Sequence, residues 1–144
     1  MAALKPEYQK LLKWGRQVKR TFEFFPSSKR LKKFCIENGF KPFQKYRDDR
    51  FAGFNDEGVV IKICATTKEI EELPDEVKER IAPTLILFKN SKGPETLMIQ
   101  ILTEEVGARA HECLKSDLGS KIDGLDINRF NAGFYDGSAK IFDW

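Results

Sequence analysis

The residues with the clearest chemical potential are the lysines and arginines of the first third of the chain. Residues 1–50 hold 14 Lys and Arg against five Asp and Glu, a charge of +9, whereas residues 51–144 hold 11 against 17, a charge of −6. Ammonium and guanidinium groups contact phosphates and carboxylates. The pattern therefore predicts an anionic partner, either nucleic acid or an acidic protein surface. We assign the contacts to eight residues: Lys13, Arg16, Lys19, Arg20, Lys29, Arg30, Lys32 and Lys33.

Aromatic residues interleave with these cations, and an aromatic ring can stack on an unpaired base. The structural alternative is that the aromatic residues fill the core while the lysines lie on the face that water must cover. A basic amphipathic segment also suits a partner groove or a membrane surface. Of these roles for the amphipathic segment, we favour neither the partner groove nor the membrane surface. We favour a structural role, in which its apolar stripe covers the protein's own sheet. RNP, KH and zinc-finger signatures are absent from the sequence.

A cysteine–histidine site has little support in the sequence. His111 is the only histidine, and Cys113 follows it on a predicted helix. Residues two apart on a helix diverge by about 200°, so these two side chains do not face one site. A nucleophile pair would need Cys35 or Cys64 to approach His111 in space. No catalytic residue is therefore assigned.

Acidic residues near predicted turns could supply a metal site of the kind that hydrolases use. They are Asp48, Asp49, Asp56, Glu57, Asp123, Asp126, Asp136 and Asp143. No ligand spacing selects among them, and Asp in a turn usually bonds its own backbone. The sequence predicts neither a metal nor a cofactor. It favours a non-enzymatic binding or regulatory module; the alternatives are a small enzyme with a carboxylate or Cys/His pocket and an oligomeric scaffold protein.

The cysteine pattern and the absence of long apolar runs indicate the cellular setting. Three widely spaced cysteines do not make a disulfide framework and favour a reducing, cytoplasmic compartment. No run approaches the roughly 18 apolar residues of a membrane span. The first seven residues also lack the apolar core of a signal peptide.

Two helices are predicted in the basic third. Apolar residues recur at spacings of three and four after Pro6, and Pro26 ends this first helix. Gly15 costs about 1 kcal/mol relative to Ala there, which indicates that a neighbouring element needs the space. Ser27 or Ser28 caps a second helix, which Gly39 ends. Residues 41–50 form a connector with a short strand.

Three glycine-punctuated hairpins are predicted to follow. Their turns lie at Asn55 to Gly58, at Lys89 to Gly93 and at Asp136-Gly137, the last being the strongest hairpin signal. Helical segments are predicted over residues 66–81, with a restart at Pro74, and from a Thr103 cap to Gly119. The repeated order of hairpin, threonine and acidic helix allows residues 51–81 and 84–118 to be a duplication.

The predicted fold is therefore α+β. Two N-terminal helices precede a mostly antiparallel sheet of about six strands from three hairpins, with two inserted helical segments packed on one face. We expect a single domain over 1–144, with a basic helical part at 1–50 and an acidic hairpin and helix part at 51–144. The other sheet face is expected to present aromatic residues to a partner. They are Phe51, Phe54, Phe134, Phe142 and Trp144.

Overall fold

The computed structural model describes residues 6–42, 52–65, 72–93, 95–123 and 127–142. The helices are α1 (Pro6–Thr21), α2 (Ser28–Glu37), α3 (Asp75–Lys78) and α4 (Ala108–Leu118), and a 3₁₀ turn spans Gly119–Ile122. The strands are β1 (Lys41–Pro42), β2 (Ala52–Phe54), β3 (Val59–Ala65), β4 (Thr84–Lys89), β5 (Glu95–Ile101), β6 (Ala132–Tyr135) and β7 (Ser138–Ile141). This mixture confirms the predicted α+β class.

The elements belong to two compact units that alternate along the chain. The first unit comprises Met1–Ala65 and Pro83–Ile101, and the second comprises Thr66–Ala82 and Leu102–Trp144. The chain therefore leaves the first unit after β3 and returns to it at β4. The organisation of residues 1–144 as a single domain stays a prediction.

An antiparallel sheet in the order β1-β2-β3-β5-β4 forms the centre of the first unit. Its longest pairing joins β3 to β5, from Val59 opposite Ile101 to Ala65 opposite Glu95. Both strands are rich in β-branched and other apolar residues, which suit a pleated surface covered on both sides. β5 is buried from Thr96 to Ile101. These two strands are therefore the core of the sheet.

Helix α1 lies against β4 and β5 through its apolar stripe. Leu11, Val18 and Phe22 are buried, and Gly15 lies between them in the helical repeat. A Cβ atom at Gly15 would lie 3.0 Å from Leu85 Cδ2 and 3.2 Å from Leu87 Cδ2. The missing side chain lets the helix backbone approach the sheet, which confirms the inference drawn from this glycine.

Aromatic rings join α2 to α1. The Phe22 and Phe34 ring centroids lie 5.7 Å apart, and those of Trp14 and Phe40 lie 5.0 Å apart in an edge-to-face arrangement. The two contacts run in opposite order along the two segments, since Phe22 meets Phe34 and the earlier Trp14 meets the later Phe40. Such ring pairs add about 0.5–1.5 kcal/mol beyond burial. Ser27 caps α2, as predicted, by accepting a hydrogen bond from the Arg30 N–H at 3.3 Å.

The second unit is built on the β6–β7 hairpin, with α4 packed against both strands. The buried face of α4 carries Ala110, Leu114 and Leu118. The loop of the hairpin is Asp136-Gly137, with φ of +50° and +76°. A two-residue turn of this twist needs positive φ at both positions, so the strongest hairpin prediction is confirmed.

Two details of the predicted architecture are wrong. The third hairpin does not extend the main sheet: the described strands form one sheet of five and a separate sheet of two. Thr103 does not cap a helix, because Glu104 exchanges backbone hydrogen bonds with Phe134 and α4 begins only at Ala108. Within the helical segment predicted over 66–81, α3 begins directly after Pro74, at Asp75, which confirms that this proline breaks or restarts the run. Residues 66–71 lie outside the described ranges.

Candidate functional site

The outer face of α1 carries four of the eight predicted contact residues, and all four are exposed. Two of them have partners within the first unit. Lys13 Nζ lies 2.9 Å from Glu57 Oε1, and Lys19 Nζ lies 3.9 Å from the ring centroid of Phe88. Arg16 and Arg20 make no hydrogen bond or ion pair with any residue in the described ranges. These two guanidinium groups are therefore available to an external anion.

The outer face of α2 carries the other four, which are also exposed. The Arg30 guanidinium carbon lies 5.3 Å from the Phe22 ring centroid. Lys29, Lys32 and Lys33 have no hydrogen-bonding or ionic partner among the residues that the structure describes. Together with Arg16 and Arg20 they form what we call the basic helix surface: Arg16, Arg20, Lys29, Lys32 and Lys33.

The charged residues of α2 are placed unfavourably with respect to the dipole of the helix. Its first turn holds no acidic residue and its last turn no basic residue; instead, Lys29 and Arg30 lie beside the positive end of the helix dipole. A cation there is unfavourable, because the same interaction stabilises an anion by about 0.3–1 kcal/mol. A neutral polar residue would keep this end solvated at no such cost. The position of these cations therefore favours a role beyond solubility.

Like-charge pairs add to this cost. Arg16 and Arg20 are four residues apart on α1, and Lys29 and Lys33 are four apart on α2. Neighbours at this spacing repel by about 0.2–0.5 kcal/mol per pair. Each pair lowers helix stability slightly, and an anion between its members would reverse the effect.

Glu57 fixes the N-terminal half of α1 to the turn between β2 and β3. Lys13 donates to its carboxylate, and Lys10 Nζ donates to its backbone oxygen at 3.2 Å. The hydrogen bond from Lys13 and the nearby positive charge hold the pKa of Glu57 below its ordinary value of 4.5. The turn itself is held by Asn55, whose side-chain oxygen accepts from Glu57 N and Val59 N at 3.1 and 3.0 Å. Lys13 therefore has a structural role in the first unit.

Two exposed apolar side chains lie beside the basic helix surface. Phe24, between α1 and α2, is 79% exposed, and Ile36, on α2, is 69% exposed. Neither residue is predicted from the sequence to be exposed. A signal was present for Ile36, which follows Lys29 by seven residues and Lys32 by four and so shares their face. Phe24 falls two residues after Phe22, outside the stripe of α1.

The cysteine and histidine candidates are divided between the two units. Cys35 belongs to the first unit and His111 to the second. Burial raises the pKa of the Cys35 thiol to about 12, so it stays protonated and is a poor nucleophile. His111 and Cys113 are half-buried on α4. The side chain of Cys64 lies outside what the structure describes.

The acidic candidates that the structure describes do not converge on a metal site. Across the described ranges, no group of three or more His, Cys, Asp and Glu side chains is placed to hold a metal ion. Glu57 is bound to Lys13, and Asp136 occupies its hairpin turn with positive φ. Asp48, Asp49, Asp126 and Asp143 lie outside these ranges.

The predicted aromatic face is described only in part. Phe54, Phe134 and Phe142 are half-buried, while Phe51 and Trp144 lie outside the described residues. The guanidinium carbon of Arg109 lies 5.4 Å from the Phe134 ring centroid, so a cation of the second unit already covers this ring.

Models of known protein families, curated proteins and solved structures were compared with the chain, and none of them matches it. The helices in the described ranges are all too short or too polar to cross a lipid bilayer. The arrangement of the molecule's own residues is therefore the basis for a functional conclusion.

Proposed function

We propose that this protein is a non-enzymatic, cytoplasmic nucleic-acid-binding module, and that the basic helix surface contacts phosphates. The observation that carries the proposal is the set of five exposed cations on two consecutive helices, which have no carboxylate partner among the described residues. Phosphate oxygens are the anions that such a surface would meet at regular intervals along a nucleic acid strand. The cytoplasmic location rests on the three widely spaced cysteines.

The charge of each unit supports this assignment. The first unit holds 17 Lys and Arg against eight Asp and Glu, a charge of +9, and the second holds eight against 14, a charge of −6. The sign change seen along the sequence is therefore a difference between two folded units. Positive charge confined to one unit would orient an approaching polyanion toward that unit.

The test is fluorescence anisotropy with labelled single- and double-stranded DNA and RNA at about 50 and 200 mM salt. If five phosphates are neutralised, affinity for a single strand should fall about 100-fold over this range, since about 0.7 counterions are released per contact. No binding at the lower salt would contradict the proposal. Binding to an acidic protein in place of nucleic acid would then be the next reading of the same surface.

A pair of matched variants tests the location. Replacing both Lys29 and Lys33 with Gln should lower affinity and reduce the salt slope for a single strand by about 1.4, since each phosphate that is no longer neutralised accounts for about 0.7. Replacing both Lys92 and Lys115 with Gln changes the net charge equally, but these exposed residues lie outside the basic helix surface. The control should leave the slope unchanged. Equal losses of affinity in the two variants would show that net charge alone, and not this surface, attracts the ligand.

A further inference from the structure

We infer that the ligand of the basic helix surface is an unpaired nucleic acid strand, and that Phe24 stacks on one of its bases. This inference rests on the proposed function and adds to it the class of nucleic acid and a contact that is not electrostatic. Its starting point is the exposure of Phe24, which at 79% exceeds that of every other large apolar side chain in the described ranges.

The loop that carries Phe24 is anchored on both sides. Before it, Phe22 is 3% exposed and packs on Phe34. After it, Pro26 is buried and Ser27 caps α2. Phe24 lies in a loop of only six residues, 22–27. Because the positions on either side of it are fixed in the core and in the cap, its side chain is held outward. A ring presented in this way loses little conformational freedom when it binds.

Cations lie on both sides of the ring along the chain. Arg20 precedes Phe24 by four residues and Lys29 follows it by five, so that at most about 18 Å of chain separates Phe24 from either of them. A single strand offers phosphates to flanking cations and splayed bases to an aromatic ring, whereas the bases of a duplex are already stacked on one another. The combination of ring and cations therefore favours an unpaired strand.

The alternative ligand for cations beside exposed apolar residues is an anionic membrane surface. Stacking needs the flat face of an aromatic ring, whereas insertion into lipid needs only apolar area. Leucine keeps most of the apolar area of phenylalanine and lacks the ring. Substitution by leucine therefore separates the two ligands at the same position.

The experiment measures the affinity of the full chain for a 12-nucleotide single strand and for the matching duplex, with four variants. Phe24→Ala and Phe24→Leu should each weaken single-strand binding by about 5- to 100-fold, the usual effect of losing one stacked base, and change duplex binding less than twofold. Phe24→Trp should retain the affinity and show quenching of its fluorescence on binding. Ile36→Ala is the matched control, because it removes an exposed apolar side chain (69%) that has no aromatic ring, from the face of α2 that carries Lys29 and Lys32, and it should leave affinity unchanged.

The possible results are distinguishable. Salt-dependent binding of both forms with equal affinity, and no effect of Phe24→Ala, would overturn the unpaired-strand inference and leave the proposed function standing. No binding of either form at about 50 mM salt would overturn both. Binding to vesicles with about one-third phosphatidylserine, retained by Phe24→Leu and weakened by Ile36→Ala, would overturn the inference in favour of a membrane. Phe24 and Ile36 are both exposed, so we expect none of the four substitutions to change the melting temperature. Measuring the melting temperature of each variant therefore checks that it is folded.

Discussion

At the scale of single residues, burial separates a thiol that could react from one that could not. Cys35 is fully buried on the inner face of α2 with its pKa raised to about 12, and Cys113 is half-buried on α4. Thiolates react with alkylating reagents and thiols do not. The two cysteines should therefore behave as separate reporters of the folded state.

We predict that iodoacetamide at pH 8 modifies Cys113 in the folded protein and modifies Cys35 only after unfolding in urea. Peptide mapping by mass spectrometry would measure the two sites separately. Because the folded pKa of Cys35 lies above the value of 9.0 expected when it is unfolded, its contribution to stability is complete below pH 9. That contribution is lost as the pH rises toward about 12. Equal labelling rates in the folded state would contradict this prediction.

At the scale of the helix, the basic residues of α2 lower the stability of the helix and form part of the proposed binding surface. Lys29 lies in the first turn of α2, where a carboxylate would favour the helix dipole and a cation opposes it. The structure describes no anionic partner that would offset this cost. A change at this position should therefore move stability and affinity in opposite directions.

We predict that Lys29→Glu raises the free energy of unfolding by about 0.5–1 kcal/mol while it weakens nucleic-acid binding. Urea unfolding and anisotropy would measure the two effects. Lys29→Gln is the control: it should have about half the effect on stability, since it removes the cation without adding an anion. A loss of stability in Lys29→Glu would show that Lys29 has a structural partner.

The hairpins and the α4 boundary show what the sequence could and could not predict about these elements. The turn at Asp136-Gly137 was predictable because its positive φ angles depend on the two residues themselves. The start of α4 was not, because Thr103 and Glu104 lie against a strand about 30 residues further on. A Cβ atom at Gly133 would lie only 2.7 Å from Thr103 Oγ1. This close approach explains the glycine.

The same division holds for the candidate site. The exposure of its cations followed from helical periodicity, since they lie opposite a buried stripe. Which cations have partners did not follow, because Lys13 bonds to Glu57, 44 residues away. The exposure of Phe24 did not follow either, because local spacing gives no account of how its loop is anchored.

At the scale of the whole molecule, the strands differ in how well they are enclosed. β5 is buried from Thr96 to Ile101 and is paired on both sides, by β3 and by β4. β1 has two exposed residues at the sheet edge. Amide exchange should follow this order, because central strands open only when most of the fold opens.

We predict that backbone amides of β5 exchange with deuterium most slowly among those of the first unit, and that the amide of Lys41 in β1 exchanges rapidly. Native-state hydrogen exchange followed by NMR would measure both. The β6–β7 amides of the second unit serve as an internal comparison. Exchange from β5 that is as fast as exchange from β1 would show that β5 is not central to a stable sheet.

The return of the chain to the first unit at Pro83 has a consequence during synthesis on the ribosome. Leu85, Leu87 and Ile99, which cover the helix backbone at Gly15, are translated 70 to 84 residues after it. At about 5–20 residues per second, the gap lasts roughly 4–17 s. For that time α1 is a nascent cationic segment whose apolar stripe has no sheet to cover it, beside the anionic ribosomal RNA. Chaperones that hold exposed apolar segments would therefore have several seconds in which to bind this helix.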